Sequence, residues 1–260
     1  MADRGRFVDG VLLAVGTLTA LRVPPPSAVD RSRAGVAASV APVAILPLAL
    51  LVGATGWAAG ELELNPWAVG FALVGLLALG SRALHLDGLS DVADALTSGH
   101  ARDRALTVMK DSSAGPAGAA ALVLTLGIQS ASMGHLLTVP HGAWLVAAVV
   151  CASRAALPLC CARGVRAARE DGLGVGFAQS VPPLAAVAVW VAVAATVSVV
   201  ADRAGLDWWI GAIAVGAGLV TAAVVLWRCV SRLGGITGDV FGAAIELALA
   251  AMLLAATAAT

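Results

Sequence analysis

A chain of 260 residues that is 60% hydrophobic, only 12% charged and has a mean hydropathy of +0.92 cannot hide its apolar surface in a core of its own, which excludes a water-soluble globular domain. Sixteen basic residues balance sixteen acidic ones, so the net charge is zero and no basic field exists to hold nucleic acid. The partners to expect are the lipid bilayer and small molecules.

The first apolar run, 11–21, is too short to cross a hydrocarbon core that needs about 20 residues, and arginines flank it on both sides. It is expected as a short interfacial or re-entrant helix on the cytoplasmic face. It runs on into Arg22-Val23-Pro24-Pro25-Pro26 with no small-residue cleavage site, so it does not read as a signal peptide and the chain is expected to be inserted whole. Predominantly apolar runs long enough to span follow at about 34–56, 65–84, 113–138, 142–162, 180–201, 208–228 and 238–259, with Pro140 and Gly142 dividing the long uncharged stretch 112–153. The fold class is therefore all-α: a polytopic integral membrane bundle of about seven transmembrane helices plus the short N-terminal segment. No repeat is detectable, and nothing divides 1–260 into separate domains.

The charges set the orientation. The N-terminus and the segments 22–33, 82–111, 154–171 and 228–237 hold fifteen of the sixteen basic residues, leaving Arg203 alone in the other connections. Seven crossings place every arginine-rich segment on one side, which the positive-inside rule makes cytoplasmic. Cys151, Cys160, Cys161 and Cys229 show no Cys-x-x-Cys spacing and read as small apolar residues.

At the cytoplasmic end of the second span stands His85-Leu86-Asp87-Gly88-Leu89-Ser90-Asp91-Val92-Ala93-Asp94. Asp87, Asp91 and Asp94 lie at i, i+4 and i+7, so a helix would line three carboxylates on one stripe, with Gly88 weakening the helix at Asp87. Three like charges at a membrane boundary call for a counter-charge. A Mg²⁺ ion, which takes one or two carboxylates together with phosphate oxygens, supplies it and makes a diphosphate the natural substrate group. A solvated loop paired with Arg82, Arg102 and Arg104 is the plainer alternative, and His85 by itself reads more readily as a structural or interfacial histidine than as a substrate contact.

The next cluster is Met109-Lys110-Asp111-Ser112-Ser113-Ala114-Gly115-Pro116. Lys110 is the only lysine, and a helix beginning near 113–116 would aim its N-terminal amides at an anion, either a substrate phosphate or merely a cap from Asp111. Arg154, Arg163, Arg166 and Arg169 offer forked guanidinium groups for phosphate, although topology alone also explains them. In the last cluster, Arg232-Leu233-Gly234-Gly235-Ile236-Thr237-Gly238-Asp239, the glycines suit a flexible phosphate-facing loop or a tight turn. Asp239 and Glu246 share a helical face, and Glu246 lies two turns inside an apolar span. A carboxylate at that depth is expected to be functional, pointing into the bundle within reach of Asp239 or of the metal-binding group through at most one water; a snorkelling side chain or a protonated Glu hydrogen-bonded between helices is the plainer alternative.

These motifs, with Gly172-Leu173-Gly174 between them, resemble the cobalamin synthase family, also called adenosylcobinamide-GDP ribazoletransferase, in order and in spacing over nearly the whole chain. The stretch Leu18-Thr19-Ala20-Leu21-Arg22 departs from that family's usual Phe-Leu-Thr-Arg-Leu-Pro. The resemblance implies a Mg²⁺-dependent transferase of the bacterial cytoplasmic membrane. It would join adenosylcobinamide-GDP to α-ribazole or its 5′-phosphate, releasing GMP at the cytoplasmic face. On that reading Asp87, Asp91, Asp94 and Asp239 hold the metal and, with Glu246, form the catalytic set. His85, Lys110, Asp111, Ser112, Arg154, Gly234, Gly235 and Thr237 contact substrate. The oligomeric state, a homo-oligomer included, stays open. The other readings are a different Mg²⁺-dependent phosphotransferase or prenyltransferase acting on a diphosphate, and a transporter. The first lacks its Asp-Gly-x-x-Ala-Arg or Asn-Asp-x-x-Asp signatures here, and a transporter would gather its ionisable groups at the bilayer midplane.

Overall fold

The computed structural model of the chain describes residues 5–99, 101–109 and 114–259. Along them run α1 (Arg6–Leu18), α2 (Arg31–Ala44), α3 (Leu46–Glu61), α4 (Pro66–Gly80), α5 (Leu84–Thr97), α6 (Arg102–Val108) and α7 (Pro116–Leu136). They are followed by α8 (Gly142–Ser153), α9 (Ala156–Cys160), α10 (Leu173–Phe177), α11 (Pro183–Arg203), α12 (Trp208–Leu233) and α13 (Gly238–Ala256). Only two isolated bridges, Ala162 with Val181 and Ala167 with Ile236, break the helical pattern of the described residues.

The starts and stops follow local chemistry. Proline opens α4, α7 and α11, where its missing N–H has no helical partner to lose. Asn65 caps α4 by accepting from Trp67 and Ala68 N–H at 3.0 and 3.2 Å. Gly234, at φ 79°, closes α12 in the left-handed region that glycine enters without strain.

Among the described residues, six segments are long and apolar enough to cross a membrane: Arg31–Glu61, Pro116–Leu136, Gly142–Cys160, Pro183–Arg203, Trp208–Leu233 and Gly238–Ala256. The seventh expected span, 65–84, corresponds to α4, which passes the same test only together with α5, and the two are bent by 94°. Arg82 and Ala83, both with positive φ (57° and 54°), make that turn. Neither residue type favours such a conformation, so the bend was invisible in the sequence. Helices α4 and α5 therefore form no single straight crossing: the pair is a broken span or a re-entrant hairpin.

Helix α13 occupies the centre, with 72% of its span buried against 28% for Pro183–Arg203 at the periphery. It packs on α5, α7, α8 and α12. The N-terminal α1 stays outside the set of spans, as expected, and folds back on α2. Its Asp9 is buried and accepts hydrogen bonds from the Ser27 amide (3.0 Å) and hydroxyl and from Arg33 Nε (2.9 Å). Those bonds, the Ser27 hydroxyl first, hold the Asp9 carboxyl down at about 2 and pin the 22–30 connection over α1.

Candidate active site

The acidic stripe forms as its spacing predicts, since α5 runs unbroken through Asp87, Gly88, Asp91 and Asp94. Gly88 does not interrupt the helix; it brings α5 against α13. A methyl group added at Gly88 would lie 2.6 Å from the Asp239 carbonyl oxygen, and one added at Gly242 would lie 2.7 Å from the His85 carbonyl oxygen. This two-sided approach of small residues is the membrane form of close helix packing. It sets Asp239, in the first turn of α13, beside the stripe of α5. We expect Gly88→Ala to push the helices apart and to lower stability by about 1–3 kcal/mol, read as a drop in the thermal midpoint in detergent.

The carboxylates crowd one another. Burial, followed by the charges of Asp87, Asp239 and Asp94, pushes the Asp91 carboxyl up to about 6, with Arg169 pulling the other way. Thr237 donates its hydroxyl to Asp239 Oδ2 at 3.0 Å and so fixes that carboxylate. Asp94 is engaged elsewhere: its oxygens accept from Gly115 N–H at 2.7 Å and Gly118 N–H at 2.9 Å. The N-terminus of α7 therefore does meet an anion, and the anion is a side chain of the protein itself.

Among the described residues, no three ligand-type side chains stand close enough to enclose a metal ion unaided. The donor set nevertheless suits Mg²⁺, which is commonly held by one or two carboxylates and completed by substrate phosphates and water. Asp87, Asp91 and Asp239 supply hard oxygen donors, and their mutual repulsion is the kind of charge excess that a cation relieves.

Two cavities concern the site: the first touches the cluster itself, and the second holds Arg169, whose charge acts on Asp91 and Asp239. One of about 90 Å³ is lined by His85, Asp239, Thr17, Leu173 and Phe177, between α1, α5, α10 and α13. The other, about 730 Å³, is lined by Arg102, Asp103, Thr107, Arg169, Glu170 and Asp171. Arg102 donates to Leu233 O and Ala168 O, both at 2.7 Å, and Arg169 to Leu106 O at 2.9 Å, so both guanidinium groups are held in place at the cavity wall. In the sequence Arg169 was one of four arginines offered for phosphate and Arg102 only a counter-ion for the aspartates. Membership of arginine-rich loops, which topology already explains, did not distinguish this pair.

Glu246 points into the bundle and is 6% exposed. Its Oε2 accepts from Gln129 Nε2 at 2.8 Å, and Oε1 lies 3.6 Å from His85 Nδ1. Arg154 is near enough to act on it electrostatically. The network thus ties α5, α7, α13 and the end of α8. Gln129, which no sequence pattern singles out, is its hydrogen-bond donor.

Arg154, expected as a phosphate contact on a cytoplasmic loop, is only 1% exposed and donates to Val150 O (3.0 Å) and Ser153 Oγ (2.8 Å). The reason is that α8 continues almost directly into α9, so residue 154 falls inside the packed segment Gly142–Cys160 and not in a loop. His85 is likewise buried. Gly234 and Gly235 pass closely over the 166–168 segment: Ile236 N–H donates to Arg166 O at 2.9 Å and Ala168 N–H to Ile236 O at 2.8 Å. A methyl group at Gly235 would meet Arg166 O at 2.3 Å. Lys110, Asp111 and Ser112 lie outside the described residues.

The family described as cobalamin-5-phosphate synthase matches residues 10–257. A protein of Nocardioides sp. named adenosylcobinamide-GDP ribazoletransferase is 45% identical over 98% of each chain. Proteins of the same name from Frankia casuarinae (34% identical, over 91% of this chain and 90% of the relative) and Chlorobaculum parvum (34%, over 93% and 92%) are similar along nearly their whole lengths. No solved structure matches the chain significantly.

Proposed function

Since the chain belongs to the cobalamin-5-phosphate synthase family, we propose that it catalyses the joining of adenosylcobinamide-GDP to α-ribazole or α-ribazole 5′-phosphate, with release of GMP. The observation that carries this reading is the full-length similarity to enzymes of that name, together with a carboxylate cluster suited to a diphosphate and its cation. The acceptor's ribose hydroxyl oxygen bonds to the phosphorus carrying the cobinamide, the phosphoanhydride bond to GMP breaks, and the hydroxyl proton passes to a carboxylate of the cluster.

Asp87, Asp91 and Asp239 would hold Mg²⁺, which when bound neutralises the diphosphate as GMP leaves. Thr237 orients Asp239 for that task. Asp94 acts one step removed, joining α5 to the start of α7 and so fixing where the stripe lies. Arg102 and Arg169, held rigidly at the wall of the larger cavity, are the groups we assign to the substrate's phosphates. The arginine distribution supports a cytoplasmic active face in a bacterial cytoplasmic membrane.

The test is direct. Purified protein in detergent should release GMP from adenosylcobinamide-GDP when Mg²⁺ and an α-ribazole acceptor are both present, and not when either is omitted. Failure with both acceptors would overturn the assignment.

A further inference from the structure

Away from the carboxylates, a second group of arginines converges. Arg6 from α1, Arg31 from the first turn of α2 and Arg163 from the segment after α9 line one cavity of about 770 Å³. Ser32, Ser39 and Ser180 add hydroxyls, and no acidic residue lines it. Topology accounts for arginines on this side of the membrane, but not for three from distant parts of the chain around one space. Asp9 and Asp30, near Arg6 and Arg31 in sequence, are already engaged, since Arg33 pairs with both. Among the described residues Arg6, Arg31 and Arg163 have no carboxylate partner.

Ser39 also belongs to a second cavity, about 510 Å³, that continues down the outside of the bundle. Its walls are apolar: Val43, Leu46 and Leu50 on one side and Val193 and Val197 of α11 on the other, with Trp144 of α8 at its floor. From residue 39 to residue 50 the groove follows the helical segment for about 17 Å. Val43, Leu46 and Leu50 are exposed, so the groove opens toward lipid. Cationic forks at the membrane surface above an apolar trough have the charge and polarity pattern of one amphiphile. A free phosphate would use only the upper half.

We propose that these joined cavities bind one anionic phospholipid, its phosphate held by Arg6, Arg31 and Arg163 and an acyl chain laid along the groove between α2–α3 and α11. The site stands on its own residues and does not depend on the reaction proposed above.

Trp144 makes it readable. In protein reconstituted into phosphatidylcholine nanodiscs, brominated phosphatidylglycerol should quench the Trp144 component of the fluorescence, defined by difference from Trp144→Phe. It should do so at a mole fraction roughly tenfold below that needed with brominated phosphatidylcholine. Arg31→Gln combined with Arg163→Gln should bring the two lipids to within about twofold, whereas Arg228→Gln, outside both cavities, should keep the preference. Should the double variant fail to assemble, either single variant gives the same comparison, as both positions are exposed. Equal quenching by the two lipids in the unaltered protein, or a preference that survives loss of the arginines, would overturn the proposal. So would complete loss of the preference on adding inorganic phosphate at matched ionic strength, because that result would mark a site for free phosphate.

Discussion

Asp91→Asn lowers the rate of GMP release by about 10²-fold or more while leaving the fold at least as stable as before. The two halves have one cause. Asp91 sits where burial and three neighbouring carboxylates resist its ionisation, to the point that its carboxyl rises to about 6. A group in that position opposes folding when charged, so removing its charge relieves repulsion in the protein without cation. The same change withdraws a donor from the set that would hold Mg²⁺. Added Mg²⁺ should therefore raise the thermal midpoint of the unaltered protein and leave that of Asp91→Asn almost where it was. A variant that turns over normally with an unchanged Mg²⁺ requirement would return the stripe to an ordinary charged surface.

The second large effect concerns the interior. Glu246→Leu should destabilise the bundle by about 1–3 kcal/mol, the cost of leaving buried polar groups short of a partner. Arg154 is buried within electrostatic reach of Glu246, and Gln129 Nε2 is left with only the backbone carbonyl of residue 246, at 3.1 Å, as its acceptor. Glu246→Gln retains an acceptor for Gln129 but not the charge opposite Arg154, so its loss of stability should fall between Leu and the unaltered side chain. The ladder of three thermal midpoints in detergent is the measurement. If Gln and Leu both match the unaltered protein, Arg154 has no need of Glu246 and the network is not structural. Glu246 points into the bundle as the sequence leads one to expect, and its direct partners are Gln129 and His85, the inter-helix arrangement of the plainer alternative, while Asp239 accepts from Thr237.

Much of the architecture is legible in the amino-acid sequence. Each expected span has its helical segment, and the break at 137–141 falls where Pro140 and Gly142 mark it. Bilayer thickness converts composition into span length, and charge distribution converts loops into sides, so both are properties of short windows of residues. The stripe of Asp87, Asp91 and Asp94 is equally local, because helical periodicity alone puts i, i+4 and i+7 on one face.

What those residues do depends on contacts between distant parts of the chain. Asp94 is indistinguishable from Asp91 by spacing, yet it meets amides 21 and 24 residues further on and becomes the cap of α7. Gln129 finds Glu246 across 117 residues, and no pattern within α7 marks it out. Gly88 weakens the helix by propensity, but the close approach of Asp239 gives the missing side chain its purpose. Arg154 resembles every other cytoplasmic arginine until α8 and α9 carry it inside. The positions of the apolar segments, the sidedness implied by the arginines and the position of the acidic stripe follow from hydrophobic length, charge and helical period, which a linear sequence carries. Which carboxylates face one another, and which are consumed in holding helices together, is not written in any short window. Those hydrogen-bond and charge partners are set by the 94° turn at Arg82 and Ala83 and by packing around α13.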